Sequence, residues 1–158
     1  MPRQNDNGMT GELALENFLP YRLSVLSNRI SQTIAASYRD RFGLSVTEWR
    51  VIAVLGRTPK LSASDVVERT AMDKVAISRA VAALLERGLV LRTVDRDDRR
   101  RSVLSLSRKG ANVHAQVAPL ALDFEARLLA ALGPAMRDAL PQVLDALNQA
   151  IDSLPTAD

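Results

Sequence analysis

The apolar residues recur with a helical period over most of the chain. Between residues 19 and 43 they recur every three or four positions, which predicts an amphipathic helix that ends at Gly43. The same period returns after Ser107 in two stripes, with Pro119 expected to kink or interrupt the first and Gly133-Pro134 separating them. The three stripes are Leu19, Leu23, Leu26, Ile30, Ile34 and Tyr38; Val113, Val117, Leu120, Phe124 and Leu128; and Met136, Leu140, Val143, Leu144, Leu147 and Ile151.

Helix-capping residues divide the middle of the chain into three shorter helices. Ser45 is followed three residues later by Glu48, a capping box in which each side chain satisfies a free backbone amide. Ser62 precedes Asp65 in the same way, and Asp73 can cap a third helix that Gly88 ends. Two short helices joined by a tight turn, the second of them longer, indicate a helix-turn-helix.

The stretch that follows changes to a strand period. The segments LVLRTVD (89–95) and SVLSLS (102–107) carry β-branched or alternating apolar residues, which predicts two antiparallel strands around a charged tip. The predicted order is four helices, two strands and two helices. The fold class is therefore mainly α with a small β-hairpin.

The third capped helix has two contrasting faces. Ile77, Ala80, Val81, Leu84 and Leu85 fall on one side, which we expect to be core. The opposite side is slim enough for a major groove, where Arg79 can reach guanine and Val75 a thymine methyl. It carries Lys74, Val75, Ala76, Ser78, Arg79, Ala82 and Ala83. An ordinary alanine-rich surface helix is the alternative interpretation.

Positive charge is concentrated between residues 87 and 109. This segment has eight basic and three acidic residues, a net charge of +5, whereas the rest of the chain has a net charge of −2. A basic lobe on a slightly acidic body is typical of a polyanion-binding protein. A solvated charged loop is the alternative. Asp98 is expected to pair with Arg100, while Asp95 and Asp97 serve the turn.

The composition argues against catalysis and against a membrane location. The chain has no cysteine and one histidine, His114, and shows neither a Gly-rich phosphate loop nor a metal-ligand cluster. We therefore expect no catalytic residues, no metal and no cofactor. No apolar run approaches the roughly 20 residues of a membrane span. Residues 1–17 lack the apolar region of a secretion signal and are expected to form a flexible tail, so a cytoplasmic location is expected.

The hairpin sequence VDRDDRRRSVLSLSRKG resembles the wing, the DNA-binding hairpin, of MarR-type (multiple antibiotic resistance regulator) winged-helix repressors. Their D-x-R and L-[ST] pattern matches Asp98, Arg100, Leu106 and Ser107, and DKVAISRAVAALLERGLV is similar to their recognition helix. The resemblance spans Leu19 to Leu154. It implies a winged helix-turn-helix homodimer on pseudo-palindromic double-stranded DNA, a repressor released by a small ligand such as a phenolic or aromatic acid.

The resemblance also implies a division of the chain and a set of contact residues. Residues 18–43 and 108–154 would form the dimer, and residues 44–107 the DNA-binding lobe. The DNA-contacting candidates are Ser62, Ser64, Lys74, Val75, Ala76, Ser78, Arg79, Arg96, Asp98, Arg99, Arg100 and Arg101. The ligand-binding candidates are Arg22, Tyr38, Trp49 and His114.

Two departures from the family pattern affect these assignments. Family members often have proline at the position of Arg96, and serine or threonine at those of Val75 and Ala76, so direct base readout by the latter two is in question. A helical dimerisation or protein-binding module, whose basic hairpin meets an acidic partner, is the alternative function.

Overall fold

Six α-helices and one β-hairpin make up the described part of the chain, residues 13–155 of a computed structural model. Residues 1–12 of the expected tail lie outside it, and Leu15–Asn17 form a short 3-10 turn. The elements are α1 (Leu19–Phe42), α2 (Val46–Arg57), α3 (Ala63–Thr70), α4 (Lys74–Glu86), β1 (Val90–Val94), β2 (Ser102–Leu106), α5 (Arg108–Ala131) and α6 (Pro134–Ser153). Their order confirms the predicted fold class.

The predicted caps start the three middle helices. The Ser45 hydroxyl accepts a hydrogen bond from the Glu48 amide, and the Glu48 carboxylate accepts one from the Ser45 amide. An equivalent box begins α3 at Ser62. Asp73 accepts hydrogen bonds from the amides of Val75 and Ala76, both at 3.0 Å. Each cap satisfies backbone donors that the first helical turn would otherwise leave unpaired.

The middle of the hairpin is hydrogen-bonded to the segment before α3. β1 and β2 pair in antiparallel register from Val90 opposite Leu106 to Val94 opposite Ser102. Leu61 and Leu104 exchange two backbone hydrogen bonds, of 3.1 and 2.7 Å. β2 is therefore attached to the helical body, while residues 95–101 form the projecting tip of the hairpin.

One hydrophobic core unites the helix-turn-helix with parts of the two long helices. Its fully buried side chains include Ile52, Val66, Ile77 and Leu84, together with Tyr38 from α1 and Val117 from α5. Gly110 allows the start of α5 to approach the hairpin, because a Cβ at this position would collide with the carbonyl oxygen of Leu89. The core therefore sets α4 and the hairpin side by side.

The expected interruption at Pro119 does not occur. α5 runs without a break through Pro119 and ends at Ala131, before the predicted separator Gly133-Pro134. Pro119 removes one backbone donor, that for the carbonyl of Ala115. Both residues are exposed, so water can satisfy this carbonyl.

The amino-terminal half of α1 and the whole of α6 leave apolar side chains uncovered in a single chain. α6 contains no buried residue. The exposed apolar side chains are Phe18, Leu19, Tyr21, Leu23, Val25 and Leu26 near the start of α1, and Met136, Val143, Leu144 and Ile151 on α6. Among residues 13–155, no helix is long and apolar enough to cross a bilayer.

Candidate nucleic-acid interface

The outer face of α4 matches the slim surface expected from its sequence. Ile77, Ala80, Val81 and Leu84 are buried, whereas Val75 is 55% exposed and Arg79 projects outward. Lys74, Ser78 and Ala82 are also exposed, and Ala76 and Ala83 are half-buried. Apart from its two cations, this face carries only short side chains, so it can approach a surface closely.

A cleft with a basic rim separates α4 from α3 and β1. Its volume is about 240 Å³, with an apolar floor of Val67, Ile77 and Val81. Lys74 and Arg92 supply cations to its lining, and Ala63, Ser64 and Ser78 complete it. Arg92 is not among the predicted contact residues. The sequence could have indicated Arg92, because it occupies an alternate position of β1 and residues two apart on a strand share a face of the sheet.

The aspartates at the hairpin tip shape the turn. Asp95 accepts a hydrogen bond from the amide of Asp97, as expected for a turn residue. The expected ion pair of Asp98 with Arg100 is wrong: the Asp98 carboxylate instead accepts the backbone amide of Arg100, at 3.0 Å. Aspartate has a short side chain that readily bonds the amide two residues ahead, and this local bond takes precedence. Arg96, Arg99 and Arg100 are exposed at the tip.

Arg101 differs from its neighbours because it has an acidic partner on α3. Its guanidinium lies 2.9 Å from the carboxylate of Asp65. The same carboxylate oxygen accepts hydrogen bonds from the Ser62 hydroxyl at 2.6 Å and the Ser62 amide at 2.9 Å. These Ser62 bonds, and then the charge of Arg101, hold the pKa of Asp65 below its ordinary value despite partial desolvation. The Ser62 hydroxyl is thus engaged in the cap of α3.

Two cations counted in the basic segment are engaged within the body of the protein, Arg87 at the end of α1 and Lys109 at the end of α4. Arg87 donates hydrogen bonds to the carbonyls of Phe42 and Gly43 and lies 3.7 Å from Glu48. Lys109 donates to the carbonyl of Arg87 at 3.1 Å. These two cations stabilise a junction of helices, so the basic surface is smaller than the charge count indicates.

An aromatic cluster lies where α1, α2 and α5 meet. The rings of Tyr38 and Trp49 are 5.7 Å apart, and those of Trp49 and His114 are 5.9 Å apart and nearly parallel. Burial raises the pKa of the Tyr38 hydroxyl, with the nearby charges of Arg39 and Arg50 opposing the rise. The hydroxyl is therefore neutral at physiological pH.

A cavity of about 240 Å³ adjoins this cluster. It is lined by Ser31, Ile34, Tyr38, Val46, Trp49 and Arg50. Arg50 donates a hydrogen bond to the Ser31 hydroxyl at 3.0 Å. The structure thus brings together three of the four predicted ligand residues, whereas Arg22 lines an open groove on the amino-terminal half of α1. The predicted ligand residues did not include Arg50, although its position next to Trp49 in the sequence could have indicated it.

The adjacent helices α3 and α4, followed by a β-hairpin, define a winged helix-turn-helix protein. Residues 42–101 match the model of the MarR family. A MarR/EmrR family transcriptional regulator from Acinetobacter sp. ADP1 is similar over 85% of this chain and 95% of its own, with 26% identity and a TM-score of 0.76. The chain therefore resembles MarR-type winged helix-turn-helix regulators in its fold and in the sequence of residues 42–101. No curated protein matches the sequence.

Two further solved structures have the same fold. The transcriptional repressor CouR, bound to a 23-mer DNA duplex, is 26% identical with a TM-score of 0.72, covering 85% of this chain and 94% of that one. BpsR from Bordetella bronchiseptica, whose DNA binding is regulated by 6-hydroxynicotinic acid, is 22% identical with a TM-score of 0.74, covering 94% and 100%. Both the Acinetobacter protein and CouR are regulators of transcription.

Proposed function

We propose that the protein is a sequence-specific regulator of transcription that binds double-stranded DNA as a homodimer and is a repressor released by a small ligand. The observation that carries this proposal is the placement of the slim exposed face of α4 beside an arginine-rich hairpin tip on one lobe. Two such elements fit adjoining grooves of one duplex. The match to the MarR family and the DNA-bound relative favour this function over a protein-binding module.

In this proposal α4 occupies the major groove. Arg79 is the residue best suited to read guanine, since its guanidinium can donate to both O6 and N7. Ser78 can contact a base edge or a phosphate. Val75 and Ala76 offer only methyl contacts, so they favour thymine by shape and apolar contact.

The hairpin tip contributes the sequence-tolerant part of the affinity. Arg96, Arg99 and Arg100 are exposed and of like charge, an arrangement that a polyanion stabilises. A narrow, A/T-rich minor groove concentrates negative potential and suits such side chains. Lys74, Ser64 and Arg92, which line the same cleft, would contact phosphates. Ser62 and Asp98 would act mainly by holding α3 and the turn.

We assign dimerisation to residues 18–43 and 108–154, and DNA binding to residues 44–107. The uncovered apolar faces of α1 and α6 are the support for this assignment, since a second copy related by a two-fold axis would bury both. Tyr38 anchors α1, and Val117 anchors α5, in the core of the DNA-binding lobe. A change in how the helices pack can therefore alter the spacing of the two α4 helices.

The cavity beside the aromatic cluster is our candidate effector site. Trp49 and Tyr38 offer ring surfaces, and Arg50 offers a cation for a carboxylate, which together favour an aromatic acid. The imidazole of His114 stacks on the ring of Trp49 and links the site to α5. A ligand here releases DNA only if it binds better to a dimer whose half-site spacing fits DNA poorly.

Selection of bound sequences from random duplexes tests DNA recognition directly. We expect the wild-type protein to enrich a pseudo-palindrome, and Arg79→Ala to lose about 1–3 kcal/mol of discrimination at one base pair. Arg100→Ala should weaken binding strongly in a gel shift while the protein stays folded. Arg127→Ala, on the distant part of α5, is the matched control. Failure of the wild-type protein to enrich any sequence would refute the proposal.

Separate measurements test the dimer and the effector. Light scattering should give the mass of two chains, and Leu144→Glu should shift it toward one chain. Aromatic carboxylic acids should quench or shift the fluorescence of Trp49, the chain's one tryptophan, and release DNA in the same concentration range. A release that persists in Arg50→Gln would exclude Arg50 from the effector site.

A further inference from the structure

The ion pair between Arg101 and Asp65 joins two elements that are distant in sequence. Arg101 belongs to the hairpin tip and Asp65 to the first turn of α3, 36 residues earlier. Among the ion pairs and hydrogen bonds of residues 13–155, this contact alone connects residues 95–101 to a helix. The tip is otherwise held by bonds within its own turn and by the strands.

The acidic partner is itself held in position. The Asp65 oxygen that meets Arg101 also accepts both the hydroxyl and the amide hydrogen bond of Ser62. The capping box therefore fixes the carboxylate relative to α3 before Arg101 arrives. Both side chains are partly exposed, and a pair of this kind adds little to stability. We therefore expect the ion pair to affect the position and the charge of the hairpin tip.

We propose that Asp65 is a built-in counter-ion for Arg101, which makes Arg101 a residue that positions the wing and sharpens sequence discrimination. This inference rests on the proposed DNA-binding function. Arg96, Arg99 and Arg100 are exposed at the same tip and remain available to phosphates. Arg101, already neutralised, holds the tip against α3 and adds no further attraction to DNA of arbitrary sequence.

Salt dependence separates these two roles of an arginine. Each phosphate contact that releases a counter-ion steepens the slope of log affinity against log salt by about 0.9. An arginine that stays paired with a carboxylate in the complex releases none. Removing a phosphate-binding arginine therefore makes the slope shallower, whereas removing Arg101 leaves the slope unchanged and weakens the operator complex more than the complex with random DNA.

Fluorescence anisotropy between about 50 and 200 mM salt, on a selected operator and on a random duplex, provides the test. We expect Arg99→Gln or Arg100→Gln to make the slope shallower by about 0.9, and Arg101→Gln to leave it at the wild-type value. Asp65→Asn should free Arg101 and steepen the slope on random DNA by about 0.9, an effect that the additional change Arg101→Gln removes. Glu68→Gln, which neutralises an exposed carboxylate on the same helix, should not steepen it.

A shallower slope in Arg101→Gln, equal to that in Arg99→Gln or Arg100→Gln, would overturn the inference while leaving the proposed DNA binding intact. An unchanged slope in Asp65→Asn would also overturn it. Absence of wild-type binding to every duplex would instead refute the proposed function and this inference with it. Asparagine can still accept the Ser62 amide bond, and a circular dichroism melt checks folding. If Asp65→Asn does not fold, the comparison of Arg101→Gln with the other two tip variants decides.

Discussion

The imidazole of His114 stacks on the indole of Trp49, with ring centroids 5.9 Å apart and an interplanar angle of 26°. This contact brings α5 against α2, and it is possible because Gly56 leaves room for the imidazole. A Cβ at position 56 would lie 2.5 Å from two atoms of the His114 ring. The pairing of a small residue with a ring thus sets the distance between a long helix and the helix-turn-helix lobe.

Gly56→Ala should therefore destabilise the protein and move His114 away from Trp49. Overpacking typically costs about 1–3 kcal/mol, and the gain from alanine in a helix is about 1 kcal/mol, so we expect a net loss of about 1 kcal/mol. Urea unfolding followed by Trp49 fluorescence measures this loss. In a His114→Ala background the same change should be neutral or stabilising. A Gly56→Ala protein more stable than wild type would contradict the packing.

The amino terminus of α4 depends on Asp73. Its carboxylate accepts two backbone amides, so Asp73→Ala should lower the free energy of unfolding by about 1 kcal/mol and fray the turn that carries Lys74 and Val75. Asp73→Ser, which retains a cap, should recover most of this loss. Chemical denaturation provides the comparison. Equal stability of the alanine and serine variants would show that the cap contributes nothing.

Arg87 should act through stability instead of DNA contact. Its guanidinium bonds the carbonyls at the end of α1, and we expect Arg87→Ala to cost about 1–3 kcal/mol while the salt dependence of DNA binding stays unchanged. Arg127→Ala, an exposed arginine in a surface ion pair, should stay within about 0.5 kcal/mol of wild type. Thermal melts and anisotropy titrations distinguish the two effects. A shallower salt slope in Arg87→Ala would place it at the DNA.

The carboxyl group of Asp65 should titrate below the ordinary aspartate pKa. A lowered pKa in the folded state means that the ionised group stabilises the fold above the pKa of the unfolded chain, and that this stabilisation is lost as pH falls through the lowered value. Because the Ser62 hydroxyl is the largest cause, Ser62→Ala should raise the pKa of Asp65 more than Arg101→Gln does. Carboxyl NMR titrations test this order. The reverse order would make Arg101 the dominant influence.

The sequence was most informative where structure is determined locally. Ser45, Ser62 and Asp73 cap the predicted helices because a cap depends on residues only two or three positions apart. The buried face of α4 followed from helical period alone. The exposed tip and the two strands followed from alternation and charge.

The contacts between distant side chains could not be predicted in this way. Asp98 was expected to pair with Arg100 but bonds a backbone amide, and the ion pair of the tip is formed by Arg101 with Asp65. Long, flexible side chains choose among several partners, and which partner is in reach depends on how the hairpin lies against α3. The same reason explains why Arg50, and not Arg22, lies beside Tyr38 and Trp49.

The most direct test of the DNA-binding account is the affinity of the purified protein for its selected duplex as a function of salt. With ~6 phosphate contacts, log affinity should fall against log salt with a slope near −5, and Arg100→Ala should weaken binding throughout. A folded protein that binds no duplex at low ionic strength, or whose affinity is independent of salt, would contradict the account.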